Sequence, residues 1–330
     1  MFYELHEAGK VLIPFGVKLF DVVVFLQLCF LVPGFILNSW VLSIFLRNLR
    51  RHVTPFTVYV LMNTILEMAM TASVAVTSVP QVIRRDFYLK PSWCDFFKYV
   101  SWTLPSLLII LHSVICLDRW LALLRPLWYR TKTIKFGLCA TFVGFLYHQL
   151  WYLPAFVIDS LKERRPNQTC DTAITAITYR AMVKVFTDFL PETAIVCSYP
   201  FLLYRVWRRG AARRLGQVPT GPAAAAATAA LDPVLIRSGI EMRLTVCMLM
   251  VHMVCWMPYS ITSSVLNFWK PNEPLVLLYV YYAVYEFGHI LCLLDPIIYL
   301  LYFPGLRSAW LADIGTIRRC LRLHSNAIVP

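Results

Sequence analysis

Apolar runs long enough to cross a bilayer recur along the chain, at about 19 to 46, 55 to 82, 95 to 124, 136 to 158, 180 to 207, 241 to 268 and 274 to 301. A spanning helix needs about 20 mostly apolar residues and a barrel strand alternates over about ten, so these runs predict seven helices. Polar residues collect between them in connections that are mostly short. Two are longer, about 159 to 179 and about 208 to 240. In the second, Gly221-Pro222 and the alanines from Ala223 to Ala227 lack apolar periodicity, which reads as a low-complexity loop flanked by helix extensions. Beyond the last run, Phe303-Pro304-Gly305 breaks the pattern, and Leu306, Trp310, Leu311, Ile314 and Ile317 return at helical spacing among Arg307, Arg318 and Arg319. That spacing predicts an amphipathic helix on a membrane surface. The expected organisation is an N-terminal segment over 1–18, a seven-helix bundle over 19–302, and the amphipathic helix with a short tail over 303–330.

Composition agrees with lipid as the main solvent: 59% of the 330 residues are hydrophobic and 15% charged, with a mean hydropathy of +0.62. A net charge of +13 could serve nucleic acid, but its placement argues against that partner. Arg47, Arg50 and Arg51 follow the first run, Arg125, Arg130, Lys132 and Lys135 the third, Arg205, Arg208, Arg209, Arg213 and Arg214 the fifth, and Arg307, Arg318, Arg319 and Arg322 the seventh. All fall on one side, which the positive-inside rule makes cytoplasmic, leaving the N-terminus outside and the amphipathic helix on the inner leaflet. No separate basic-then-apolar segment precedes the first run, so that run reads as an uncleaved targeting signal. Most of the ten cysteines lie within runs and read as small buried hydrophobes. Cys94 and Cys170 fall on the outer side, where disulfides form. Asn167-Gln168-Thr169 is a glycosylation acceptor sequence on that same side. Cys320 reads either as a palmitoylation site or as an unmodified thiol.

Asp118-Arg119-Trp120 puts adjacent opposite charges at the inner end of the third run. A central charge on a membrane helix costs about 2.5 to 3.5 kcal/mol on insertion scales, so the pair reads as a switch rather than a brace. Cys255-Trp256-Met257-Pro258 and Asp295-Pro296-Ile297-Ile298-Tyr299 set prolines inside the sixth and seventh runs, and Cys94 stands 25 positions before Arg119. In order and spacing these motifs resemble a rhodopsin-like G-protein-coupled receptor, over about 290 residues from Phe20 to about Trp310. The aspartate of the seventh-helix motif is similar to the purinergic, lipid and protease-activated branch. The resemblance implies a plasma-membrane receptor with a Cys94–Cys170 disulfide. Its partners would be an extracellular ligand, a heterotrimeric G-protein and membrane lipid, with no cofactor, metal or catalysis.

The resemblance also implies roles. Asp118 would hold Arg119 at rest, and on activation Arg119 would extend toward the G-protein with the hydroxyls of Tyr199 and Tyr299 around it; interfacial anchoring is the other reading of these tyrosines. Trp256 would couple ligand to a hinge at Pro258, with comparable breaks at Pro191 and Pro296. Glu67 stands where the family usually has the aspartate of a sodium and water site, and Asp295 where many members have asparagine. Two such carboxyls in low dielectric should share a proton or hold a cation. Leu108 occupies the place of a serine that often completes the sodium site, so proton sharing is expected, with Asn38 as hydrogen-bond partner. His252 replaces a core phenylalanine and reads as a satisfied interior histidine rather than a pH sensor. Gly144 stands near a usual tryptophan.

For the ligand, His289 occupies the position of the retinal lysine of light-sensing members, which removes the Schiff base, and Ser101 occupies that of the aspartate of amine receptors. By helical phase Lys98, Ser101, Trp102, Pro105, Arg180, Lys184, Phe268, Tyr281, Tyr282 and Tyr285 face an outer cavity. The three cations favour an anionic lipid, a nucleotide or a carboxylate. Pairing of Lys184 with Asp188 at i, i+4 spacing is the alternative. Rival functions are a non-coupling decoy or accessory receptor and a transporter; paired inverted-repeat hydropathy, which a transporter should show, is not seen.

Overall fold

The computed structural model describes residues 19–52, 54–83, 91–162, 177–215, 233–268 and 275–328. They form α1 (Leu19–His52), α2 (Pro55–Ile83), α3 (Pro91–Leu124), α4 (Pro126–Arg130), α5 (Ile134–Lys162), α6 (Ile177–Lys184), α7 (Leu190–Leu215), α8 (Pro233–Cys255), α9 (Met257–Phe268), α10 (Leu275–His289), α11 (Leu291–Tyr302) and α12 (Pro304–Ile328). The protein is an all-α bundle, without strands among the described residues. The fifth span is α6 and α7, the sixth α8 and α9, and the seventh α10 and α11. α3 is central, packing on α2, α5, α7 and α8, and α1 lies between α2 and α11.

Six of the seven predicted spans contain helix long and apolar enough to cross a membrane. The fifth falls short, its apolar character diluted by Lys184, Asp188, Glu192, Arg205 and two prolines. Helix continues to Leu215 on one side of the third inner loop and begins at Pro233 on the other, and at the second outer connection α5 runs to Lys162 and α6 begins at Ile177.

The prolines act through the carbonyls they leave without a donor. A π-helical turn, Val185–Phe189, joins α6 to α7, and its last bond runs from the Leu190 N–H to the Val185 carbonyl. The same pattern would give the Phe186 carbonyl the amide of Pro191, which has no hydrogen. Tyr147 of α5 donates its hydroxyl to that carbonyl at 2.7 Å, and Trp151 stacks on the Phe186 ring at 4.0 Å. In the sixth span the break falls at Trp256, two residues before Pro258. In the seventh it does not fall at Pro296, as expected, but at Ile290. There the bonds tighten to i→i+3, from Ile290 N to the Phe287 carbonyl and from Leu293 N to the Ile290 carbonyl. Pro296 lies inside α11; the Cys292 carbonyl it deprives accepts from Asn38 Nδ2 at 2.9 Å, and the helix continues.

The inner core gathers Phe56, Tyr59, Ile115, Leu244, Met248 and Tyr299 from four spans. α12 is tied to it through Phe303, whose ring stacks on Phe56 at 6.2 Å, and through Leu306, which is buried. Asp313 of α12 accepts from Trp40 Nε1 at 3.0 Å and from Arg47 at 3.1 and 2.6 Å. Cys116, Cys255 and Cys292 are buried as expected, whereas Cys29, Cys139 and Cys197 face outward.

Candidate functional site

At the inner end of α3 the Arg119 side chain is buried completely enough that every charge must be answered locally. Nη2 and Nε lie 2.5 and 3.1 Å from Asp118 Oδ2, and Nη1 lies 2.7 Å from Glu241 Oε2 on α8. Nη2 also donates to the Tyr129 hydroxyl at 2.6 Å, which passes its own hydrogen to Asp118 Oδ2 at 2.7 Å. Tyr59 donates to the other Asp118 oxygen at 3.1 Å. The Phe56 ring lies under the guanidinium at 4.6 Å, a cation–π contact in a desolvated place. One cation thus holds two carboxylates, one from its own helix and one from the sixth span.

Tyr129 reaches this cluster because Pro126 starts α4 directly after α3, at the helical position where a missing amide costs nothing. Burial raises its hydroxyl above the ordinary tyrosine range, so it remains a donor to Asp118. Sequence reasoning missed both Tyr129 and Glu241. The signal for Glu241 was a lone acid between Arg237 and Arg243 at the inner end of the sixth run. Tyr199 and Tyr299 are not at Arg119 in this arrangement: Tyr199 packs against the cluster of Cys116, Ile195 and Leu249, and the Tyr299 hydroxyl lies 2.7 Å from Asn63 Nδ2.

Halfway across the bundle, Glu67 and Asp295 are fully buried and meet around Asn63. Asn63 Nδ2 is 2.7 Å from Glu67 Oε1, 2.9 Å from Asp295 Oδ2 and 2.7 Å from the Tyr299 oxygen. An amide nitrogen has two hydrogens and cannot serve three oxygens. The other amide orientation places an oxygen there, which accepts from the Tyr299 hydroxyl and from a carboxyl that keeps its proton. The partner shared by both acids is Asn63, while Asn38, whose nitrogen donates to the carbonyls of Gly34 and Cys292, meets Glu67 as expected. No group of three or more His, Cys, Asp or Glu among the described residues is arranged to hold a metal ion.

Between these two centres and the outer half stands the break of the sixth span. Trp256 is buried against Gly288 of α10, where an added Cβ would come within 2.7 Å of the indole. Rings follow from it outward and back: Trp256 to Tyr259 at 5.1 Å, Tyr259 to Tyr285 at 5.1 Å, and Tyr285 to His289, one turn further in, at 4.5 Å. One turn inward, His252 is buried but not satisfied as the sequence suggested. Neither ring nitrogen has a hydrogen-bond partner among the described residues, and the His112 ring is stacked on it at 4.4 Å.

In the outer half, Lys184 donates to Ser263 of α9 at 2.5 Å. Asp188 accepts from Ser106 and Thr187 at 2.9 and 3.0 Å, so the acid is bonded to hydroxyls of α3 and of its own turn. Trp102 is half-buried, edge-on to Tyr152 at 6.3 Å, and Tyr285 is buried in the ring series. Cys170 and Asn167 lie outside the described residues, as do the side chains of Cys94, Lys98, Ser101, Arg180, Phe268, Tyr281, Tyr282 and Cys320.

Two comparisons bear on this arrangement. The model of the seven-transmembrane receptors of the rhodopsin family matches residues 37–299. The chain is also 23% identical over 320 residues to the C5a anaphylatoxin chemotactic receptor 1 of Cavia porcellus, an alignment covering 87% of this chain and 78% of that receptor.

Proposed function

The chain belongs to the rhodopsin family of seven-transmembrane receptors, a family of receptors and not of enzymes, and from that premise we propose that it signals from the plasma membrane to a heterotrimeric G-protein. The N-terminus and ligand cavity face outward, and the basic inner loops face the G-protein and anionic lipid. The observation that carries this reading is the hold of Arg119 on Asp118 and Glu241, which ties the third span to the sixth.

Removing one partner of a buried ion pair costs about 3–5 kcal/mol, so the tie favours the packed state as long as both acids remain. Ligand acts by binding the open state better, and only by that difference. Outward movement of α8 then takes Glu241 from Arg119 and frees the guanidinium for the G-protein, with Tyr199 and Tyr299 closing around it. Glu67 and Asp295 keep a proton between them, so the middle of the bundle carries one negative charge there instead of two.

For the ligand, Lys184 and the cations Lys98 and Arg180 favour an anionic group, whether of a lipid, a nucleotide or a carboxylate. Nucleotide-exchange assays against the four main G-protein classes test the coupling. Arg119→Ala should abolish stimulated exchange at unchanged surface expression, and Glu241→Gln should raise basal exchange. Undiminished exchange in Arg119→Ala defeats the switch, and exchange with no class at all makes the protein a non-coupling receptor.

A further inference from the structure

Among the described residues His112, His148, His252 and His289 are buried in the bundle. Two of them, stacked on each other, link the carboxyl centre to the sixth span. The His112 Nδ1 lies 2.8 Å from the Leu108 carbonyl, which can only accept, so Nδ1 carries hydrogen and Nε2 is the nitrogen able to gain one. Nε2 lies 3.7 Å from Asp295 Oδ2 and has no hydrogen-bond partner among the described residues. His252 stacks on this ring at 4.4 Å with both nitrogens unpartnered. Its own carbonyl accepts from the Trp256 amide at 2.8 Å, at the break of the sixth span.

We propose that the receptor takes the proton as a second agonist, bound at the stacked His112–His252 pair between the third, sixth and seventh spans. The inference rests on the reading of the sixth span as the moving part. A first added proton on His112 faces the Asp295 carboxyl. A second, on His252, meets a like charge one ring away and no acceptor, which opposes it in the packed state. Outward movement of α8 parts the rings and lets water reach His252. The open state therefore binds more protons than the packed one, and acid shifts the balance toward it.

Other titratable groups lie on the spans that carry the pair or pack against them. From the seventh span these are Asp295 and Tyr299, and from the second Glu67. Tyr199 and Glu192 lie on the fifth, and Cys247 and Cys255 on the sixth. Glu192, bonded to Ser260, is the one that could mimic the effect.

The test uses the full chain in lipid nanodiscs without ligand or G-protein, with a fluorophore at the inner end of the sixth span read from about pH 8 to about pH 5, the range in which histidine changes charge. The open fraction should rise as pH falls, by up to about tenfold per pH unit for one extra proton. His252→Phe and His252→Gln, one apolar and one polar, should both flatten the response, and Glu192→Gln should keep it. Glu241→Gln is the control that moves the label at every pH. If it does not, the moving-span reading falls and the proton with it. If it does, a flat wild-type profile overturns the proton inference alone, as does a response kept in both His252 variants or lost only in Glu192→Gln.

Discussion

Asn38 supplies to the Cys292 carbonyl the hydrogen bond that Pro296 cannot, at 2.9 Å from the first span to the seventh. Gly34, one turn before Asn38, makes this approach possible, since a Cβ there would lie 2.9 Å from the same oxygen. Asn38→Ala leaves a buried carbonyl unsatisfied and should cost about 1–3 kcal/mol. Gly34→Ala should cost about as much by overpacking, about 1–3 kcal/mol. Thermal unfolding in detergent measures both; a neutral Asn38→Ala would mean that the carbonyl finds another donor.

Tyr147 and Pro191 form a second repaired break, with the Phe186 carbonyl between them. Tyr147→Phe should destabilise by about 1 kcal/mol, the net worth of an ordinary hydrogen bond. Pro191→Ala returns an amide to the fifth span, and in that background Tyr147→Phe should cost less. A double-mutant cycle reads the difference. Additive losses would show that the hydroxyl and the proline act independently.

The spans were legible because mean hydropathy reports the solvent, and lipid tolerates only helices and closed barrels, which the length of the apolar runs tells apart. Asp118 and Arg119 were legible because their charge is out of place in any apolar run. Glu241 was not: a tertiary partner 122 positions away leaves only a local oddity, one acid among arginines. Asn63 is four residues before Glu67, on the same helical face, and could have been named from spacing. The π turn before Pro191 leaves no periodic trace, since one extra residue shifts phase without changing composition. His252 was misread because satisfaction of a buried ring depends on what the other helices bring to it.

Asp313 on α12 titrates where its effect can be seen. The Arg47 hydrogen bond, then that of Trp40, holds its carboxylate below the usual aspartate range. A carboxylate lowered in the folded state stabilises above its unfolded value, about 3.9 for aspartate, and loses that contribution as pH falls through the lower folded value. Hydrogen exchange over Pro304–Ile328 should therefore quicken only below about pH 4 in the wild type, and at neutral pH in Asp313→Asn. The Arg47 and Asp313 side chains are 53% and 25% exposed, so high salt should weaken the hold as well. Exchange unchanged in Asp313→Asn would assign the docking of α12 to Phe303 and Leu306 alone.

Gly288 and Trp256 test whether the break in the sixth span is mechanically joined to the seventh. A Cβ on Gly288 would meet Trp256 Cε3 at 2.7 Å and Cζ3 at 2.8 Å, closer than packed atoms tolerate, so Gly288→Ala must displace the indole. The displacement should cost about 1–3 kcal/mol, shift the tryptophan emission and change basal nucleotide exchange. Trp256→Phe removes the ring atoms that collide. Combined with Gly288→Ala it should be less destabilised than the two single losses predict, because the clash no longer exists to be counted. Trp256→Phe alone leaves a void beside Gly288 that the added methyl partly fills, which works in the same direction. Strict additivity in both stability and basal exchange would mean that the indole has room to move without the seventh span, and that the contact packs the bundle without transmitting through it.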